Sequence, residues 1–419
     1  MSRSVAVIGG GLCGLTAAIR LAQTGIKVEL FEAAPKAGGR TRSFIDKTTG
    51  ELCDNGPHLL IGAYEATQRL LNDCDATANV TWQPSLKLSL WDEQRNHFRL
   101  QPNAYMPFAM ALLVAVKALP DHDWRSAAAM LRLARQLDQN DQINTSVAEL
   151  FTIAAIPANL RRDMLEPICL GVMNEDISTA SAATFKRVIK ESFASKTSAR
   201  LGWFNAPLDK ALITPLLEKA EQLGVTIRTG YRVRSVQEQA GGIVEVNGKP
   251  FAAAILALPA YAAATLLGID NCFQTRAITN VHLWFRDHCG LPEPLIGGIG
   301  TTGEWFFDVS QAFQQTPSLR HLCAVISADE NRISDEALVA QISHEIGLIS
   351  GVDLAPVHHR IIREKRATVL VRNYQPMFTA SSRIIDACEA PTPGQLPATI
   401  EFAVLRGEKA ASEVCKLLT

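Results

Sequence analysis

MSRSVAVIGGGLCGLTAAIRLAQTGIKVELFEAAPKAGGRTRS, residues 1–43, is the stretch whose reading decides the fold. Residues 5–8 form a short apolar run, the pattern of a buried strand. Gly9, Gly11 and Gly14 follow it with the spacing GxGxxG, and Leu15, Ala18, Ile19 and Leu21 then recur at helical intervals. Gly25 closes that helix, and KVELFE, residues 27–32, predicts a second strand. In a strand–turn–helix–strand unit each glycine has its own task. Gly9 permits the tight turn, Gly11 lets a pyrophosphate approach the backbone, and Gly14 lets the helix pack close to the strand. The helix N-terminus presents free N–H groups and a partial positive charge to phosphates. Glu32 ends the second strand about twenty residues on, where a carboxylate accepts hydrogen bonds from a ribose diol. The glycine spacing alone is a weak signal. With both strands, the helix and the acid in place, it predicts a dinucleotide-binding βαβ unit.

Gly38, Gly39 and Arg40 narrow the nucleotide. A nicotinamide enzyme has no special need for a second glycine pair just past the ribose acid. An FAD enzyme often does, because its extended dinucleotide runs past this loop.

The bulk of the chain agrees with a globular, multi-domain protein. It has 419 residues, 47% of them hydrophobic and 20% charged, which excludes disorder and allows two or three cores. The formal net charge of −1, with no long basic tract, argues against a nucleic-acid partner. Nine cysteines, at 13, 53, 74, 169, 272, 289, 323, 388 and 415, form no CxxC and no zinc-like spacing with histidine. They fit reduced thiols in a cytosol, and no metal site is expected. Residues 1–30 show no signal peptide. The longest apolar run, MPFAMALLVAVKALP at 106–120, is too short to span a bilayer, and reads as a buried helix, a cavity wall or an interfacial segment.

Beyond the βαβ unit, residues 66–195 read as an all-helical insertion, with WRSAAAMLRLARQL, VAELFTIAAI, LRRDMLEPICLGVM and ATFKRVIKESF as its helices. A second α/β stretch follows. PLDKALITPLLEKAEQLG predicts a helix, and residues 225–259 predict several strands turning at Gly230, at Gly241 and Gly242, and at Asn247 and Gly248. ITNVHLWFR and HLCAVISA are strand-like, and a long helix is expected from about Ala398. The fold class expected is α/β: a Rossmann-like FAD-binding domain with an inserted, mainly helical plus β-sheet substrate domain. The boundaries expected are 1–65, 196–275 and 366–419 for the discontinuous FAD-binding domain, and 66–195 and 276–365 for the substrate-binding domain.

GxGxxG, the acid and GGR, in this order, resemble the large flavoprotein group of amine oxidases, protoporphyrinogen oxidases and carotenoid desaturases. That resemblance implies bound FAD with Arg40 near the pyrophosphate or the flavin. YRVRSV, residues 231–236, resembles the group's adenine-contacting strand, with Val233 at the contact position. DACEAPTPGQLPATIEFAVLRGEKAA resembles its final flavin motif, with Glu389 as the acid and Leu396 and Ala398 leading into a helix under the ring. The dipole of such a helix steadies negative charge on the reduced flavin. DNGPHLLIGAY at 54–64, ICLGVMNEDISTASAATFKRVI and LPATIE resemble the hydroxysqualene dehydroxylase family more narrowly, over nearly the whole chain. The chain departs from that family at Glu175 and Asp176, where Thr-Pro is usual, and at CEAPT, where GDWT is usual, so Cys388 stands in place of glycine.

The resemblance implies FAD-dependent reduction of hydroxysqualene, an allylic alcohol, to squalene in hopanoid biosynthesis. Hydride would come from the flavin N5, and an acid would help the hydroxyl leave as water. His58, which follows Gly56 and Pro57 in a loop expected beside the flavin, is the first candidate for that acid because imidazole titrates near neutrality. Asp54, Glu175 and Asp176 rank below it, as turn or cap residues. Met106, Phe108, Met110, Leu112 and Leu113 are candidate walls for a long-chain isoprenoid substrate. Pathway context implies a cytoplasmic protein, peripheral on the cytoplasmic face of the inner membrane, with squalene-pathway synthases as partners. Three rival readings stand beside this one: an amine or porphyrinogen oxidase, a carotenoid-type desaturase running the flavin in the opposite direction, and a flavin-less escort of prenyl lipids.

Overall fold

Val5, Val7 and Ile8 are fully or almost fully buried because their strand, Ser4–Ile8, lies at the centre of a parallel sheet with both faces covered. A computed structural model of the chain describes residues 4–139, 145–270, 273–286, 290–314, 319–330, 333–352, 355–374 and 383–419. The sheet runs in the order Thr226–Arg228, Lys27–Phe31, Ser4–Ile8, Ala253–Leu256, Ile384–Asp386, with every pairing parallel. Its strands therefore come from three separated parts of the chain, as expected of a Rossmann-like α/β fold.

Helix Leu12–Gln23 covers one face and is held there by the last helix, Ile400–Leu418. The two approach so closely that a Cβ on Gly407 would lie 2.4 Å from the Cys13 carbonyl oxygen, so only glycine fits that crossing. Thr399 caps the last helix by accepting from the Phe402 N–H. Glu401, in its first turn, reaches out to cap the helix Glu65–Asp73, accepting from the N–H groups of Ala66 and Thr67 at 2.9 and 2.8 Å.

The second half of the molecule is built on a seven-stranded sheet, ordered His358–Val369, Thr275–Phe285, Arg320–Ser327, Trp305–Asp308, Leu295–Gly298, Leu88–Asp92, Asn96–Leu100. All neighbours in it are antiparallel except Leu295–Gly298 with Leu88–Asp92. Helix Asp335–Ser350 closes one face through Leu338, Ile342, Ile346 and Ile349, which pack with Val281, Leu283, Leu322 and Ala324.

Two expectations need correction. Residues 66–195 are not all helical: the strand Val80–Trp82 and the hairpin Leu88–Asp92 and Asn96–Leu100 lie within them. Alternation along LSLWD, and Asn96 at φ +55°, gave a hairpin signal in 88–100 that helix periodicity on either side masked. Residues 231–235 carry no regular structure, and pairing begins only at Val236. The Asn247 side chain captures the N–H groups of Arg234 and Ser235 at 2.8 and 3.2 Å, in place of strand pairing. Cys272 and Cys289 lie outside the described residues, while the remaining seven cysteines are free thiols. Among the described residues, no helix is long and apolar enough to cross a membrane.

Candidate functional site: a glycine cradle beside a buried cavity

Main-chain geometry accounts for the glycine loop. Gly9 sits at φ +112°, and a Cβ there would lie 2.2 Å from the Ala257 carbonyl oxygen. A Cβ on Gly14 would lie 1.9 Å from the Gly9 carbonyl oxygen, so helix and strand can meet only through glycine. Gly11 differs from both: the atom nearest its hypothetical Cβ is the Gly39 Cα at 3.9 Å, so the crest of the loop is open. Gly11 is also the N-cap of Leu12–Gln23 and brings no side chain to the first-turn N–H groups. An open crest over an uncapped helix start fits a pyrophosphate.

The second loop closes on the first. Gly38 donates its N–H to the Gly10 carbonyl at 2.8 Å, and Gly39, at φ +58°, faces Gly11. Glu32 accepts from the N–H groups of Gly10 and Ala34 at 2.8 and 2.7 Å, which pins its carboxylate at the rim of the cradle. Tyr231 donates its N–H to the Glu32 carbonyl at 2.9 Å, and Val233 packs half-buried nearby against the core that contains Phe31 and Val236.

Arg40 joins this cradle to the end of the chain. Its guanidinium donates to the Glu389 carboxylate and to the Ala367 carbonyl. The departure at Cys388 is absorbed by the sheet. Its thiol turns inward, donates to the Leu256 carbonyl at 3.1 Å and is fully buried, while Pro259 and Glu389 form a parallel bridge. Leu396 is buried against Val188 and Phe402, and half-buried Ala398 immediately precedes the Thr399 cap. Glu175 is buried and paired with Arg372 at 3.1 Å, and Arg372 in turn donates its N–H to the Pro391 carbonyl. Asp176 is an exposed turn residue that accepts from the Ser178 N–H at 2.8 Å.

The loop of Asp54, Gly56, Pro57 and His58 lies between this cradle and the seven-stranded sheet. Asn280 donates to the Asn55 carbonyl at 3.0 Å, and its side chain leaves no room for a Cβ on Gly56. Asp54, Pro57 and His58 line one wall of a cavity, and His282, Phe307, Phe313 and His321 line another. His58 Nδ1 lies 2.9 Å from the Gly56 carbonyl oxygen, which makes Nδ1 the protonated nitrogen of the ring. Burial, helped by the positive charge of Arg40, holds the imidazole below its ordinary pKa, so the ring is neutral and Nε2 has no proton to give. Asp54 is the opposite case. Its Oδ1 accepts from Ser43 Oγ at 2.5 Å and from the Leu208 N–H at 2.9 Å, and burial pushes the carboxyl up to about 7. His58 is thus held below its ordinary pKa and Asp54 is raised to about 7, so the cavity offers two candidates for the acid. Of the residues expected to wall the substrate, Leu112 lies in the helical core, Phe108 and Leu113 pack on it, Met110 is exposed, and none of these lines this cavity.

The sequence reading missed one group altogether. Cys53, His282 and His321 meet beside the cavity although 229 and 39 residues separate them along the chain. No local spacing signals this set. Strand alternation puts His282 and Trp284 on one face, and the register places Cys323 and His321 directly opposite them.

The chain matches the family of flavin containing amine oxidoreductases over residues 12–415. It is 30% identical to a hydroxysqualene dehydroxylase of Rhodopseudomonas palustris, with 99% of each chain covered. It is 28% identical to one of Sinorhizobium fredii, with 98% of each covered. An oxidoreductase structure from Methanosarcina mazei shares the fold, with a TM-score of 0.74 at 15% identity over 99% of this chain and 100% of that one. The open glycine cradle, the pinned Glu32 carboxylate and the full-length likeness agree: the chain is an FAD-dependent oxidoreductase of the flavin containing amine oxidoreductase family, on its hydroxysqualene dehydroxylase branch.

Proposed function

We propose that this chain reduces hydroxysqualene to squalene. The observation that carries the reading is the end-to-end likeness to curated hydroxysqualene dehydroxylases, with no large part of either chain left over. FAD, held by Gly9, Gly11, Gly14, Glu32, Gly38, Gly39 and Arg40, with Glu389 behind Arg40, supplies a hydride to the allylic carbon when reduced. Asp54 delivers its proton to the hydroxyl, the C–O bond breaks, and water leaves with both bonding electrons. The carbon left electron-poor takes the hydride, and Asp54 recovers a proton from solvent. His58, neutral and fixed by Gly56, orients the hydroxyl through Nε2. The helix starting at Ile400, with buried Leu396 and half-buried Ala398 just before it, would form the floor of the cofactor site.

The division of labour follows the two sheets. Residues 1–65, 196–275 and 366–419 contribute every strand of the parallel sheet and are assigned to FAD, and 66–195 and 276–365 to substrate. The strand His358–Val369 belongs whole to the antiparallel sheet, so the last boundary moves to its end. Exposed Tyr105, Met110, Val114 and Trp124, with Lys117 over the Trp124 ring at 4.6 Å, support peripheral contact with the cytoplasmic face of the inner membrane. We infer exchange of lipid with squalene-pathway synthases at that surface.

Anaerobic incubation of the chemically reduced holoenzyme with hydroxysqualene, scored for squalene, tests the reading. Stoichiometric squalene with reoxidised flavin is expected. Flavin-loaded protein that yields none, or that instead oxidises an amine or a carotene precursor, overturns it.

A further inference from the structure

The strand Thr275–Phe285 has two unlike faces. Val281, Leu283 and Phe285 belong to an ordinary apolar core. Asn280, His282 and Trp284 point the other way, toward the segment 51–55: Asn280 bonds the Asn55 carbonyl, His282 meets Cys53, and Trp284 donates to Glu51 at 2.9 Å. His321 joins this face from the neighbouring strand. The result is a thiol and two imidazoles, all buried, with one donor atom of each within 4.8 Å of the others.

We propose that Cys53, His282 and His321 bind a zinc-like divalent cation, with a fourth coordination position open to the adjoining cavity. The donor set is one soft sulfur and two imidazole nitrogens, which suits a borderline ion of tetrahedral habit. Tetrahedral zinc places such donors roughly 3.3–3.6 Å apart. Here Cys53 Sγ lies 3.5 Å from His282 Nδ1, and that nitrogen lies 2.9 Å from His321 Nε2, so the pair of rings need open by only a few tenths of an ångström. The surroundings orient the donors as second-shell groups do in built metal sites. With Nδ1 of His282 turned to the ion, its Nε2–H points at Cys323 Sγ, 3.7 Å away. The His321 ring is stacked on Trp284, with centroids 4.3 Å apart and planes 11° from parallel. Three protein ligands leave a tetrahedral ion one position, and His282 and His321 line the cavity that Asp54 and His58 also line. An oxygen donor, water or an alcohol, is the ligand that position takes. The site stands on these residues alone and does not depend on which reaction the flavin serves.

Cobalt(II) is the probe. The full-length holoenzyme, cleared of metal with a chelator, is titrated with Co²⁺ and followed by absorbance. One equivalent per chain is expected, with a near-ultraviolet sulfur-to-cobalt charge-transfer band and the strong visible bands of a tetrahedral ion. Cys53→Ala removes the sulfur band. His321→Ala weakens binding by more than the roughly 10–100-fold that a second-shell change costs, and Cys323→Ala stays within that range. X-ray absorption of the zinc-loaded, unsubstituted chain gives the same answer without any variant, as one sulfur and two imidazole nitrogens around the ion. Failure of the unsubstituted chain to take up one equivalent, or a sulfur band that survives Cys53→Ala, overturns the proposal and leaves a hydrogen-bonded polar cluster.

Discussion

At the glycine cradle the contacts that matter are made by main chain: Gly38 N–H to Gly10 carbonyl, Glu32 to two backbone N–H groups, and hypothetical Cβ atoms that would collide at Gly9 and Gly14. At the cavity next to it the contacts are made by side chains from the 53–58 segment and from three strands of the antiparallel sheet. The cradle tolerates almost no change in shape, because a main-chain carbonyl held at the end of a sheet strand cannot step aside for a methyl group. The cavity is sensitive above all to changes in charge, because its groups are buried and titrate away from their usual values. Backbone sterics dominate at the cradle and buried charge at the cavity, and substitutions should separate the two.

The largest effect belongs to the cradle. Gly14→Val puts a branched side chain where even a Cβ would lie 1.9 Å from the Gly9 carbonyl oxygen, at a cost on the order of 3 kcal/mol or more. Colourless protein with a depressed melting temperature is expected; a yellow variant of normal stability would mean that the helix can move away from the strand.

Asp54→Asn comes next and acts through charge. The amide keeps the acceptor for Ser43 and Leu208 but has no acidic proton, so squalene formation should fall by roughly 10²–10⁴-fold with the flavin spectrum unchanged. The same carboxyl sets a pH dependence. Its folded pKa of about 7 lies above the ordinary 3.8 of an exposed aspartate, so the folded chain holds the extra proton between them. Stability therefore falls as pH rises from about 4 to about 7, and activity falls as pH rises through 7. Asp54→Asn should lose that step in stability, read by melting temperature across pH; a variant with the step intact would assign it to another group.

Arg40→Ala straddles the two regions. It leaves Glu389, whose side chain is 11% exposed, without its cation, while Arg40 itself is 40% exposed and so screened. About 1–3 kcal/mol is expected, less than for a fully buried pair, together with faster release of FAD on dilution. Lysine should restore only part of this, because one ammonium cannot reproduce the fork that serves Glu389 and Ala367 together. Unchanged flavin retention in Arg40→Ala would separate the ion pair from the cofactor site.

Val233→Ala should have the smallest effect, below about 1 kcal/mol and with FAD retained, because the role assigned there belongs to the backbone of a half-buried residue. Marked loss of FAD would show that the side chain itself packs against the cofactor.

The same contrast explains what could be read in advance. GxGxxG, Glu32 and GGR were legible because their chemistry is local: a tight turn, a helix start and a strand end are each written in a few consecutive residues. The hairpin at 88–100 was missed because helical periodicity on both sides outweighed five alternating residues. His58 was a sound choice by residue type and loop position. The protonation of its Nδ1 follows from the carbonyl of neighbouring Gly56, but its lowered pKa and the raised pKa of Asp54 depend on burial and on Arg40, which no short stretch of sequence shows.

By itself, then, the sequence determined the nucleotide-binding unit, the flavin and the family, because glycine spacing and strand and helix periods are properties of neighbouring residues. Only the tertiary structure decided that burial raises the Asp54 carboxyl to about 7, and that Cys53, His282 and His321 share one point in space. Those facts are set by burial and by strand register across more than two hundred residues, and no short stretch of chain carries either.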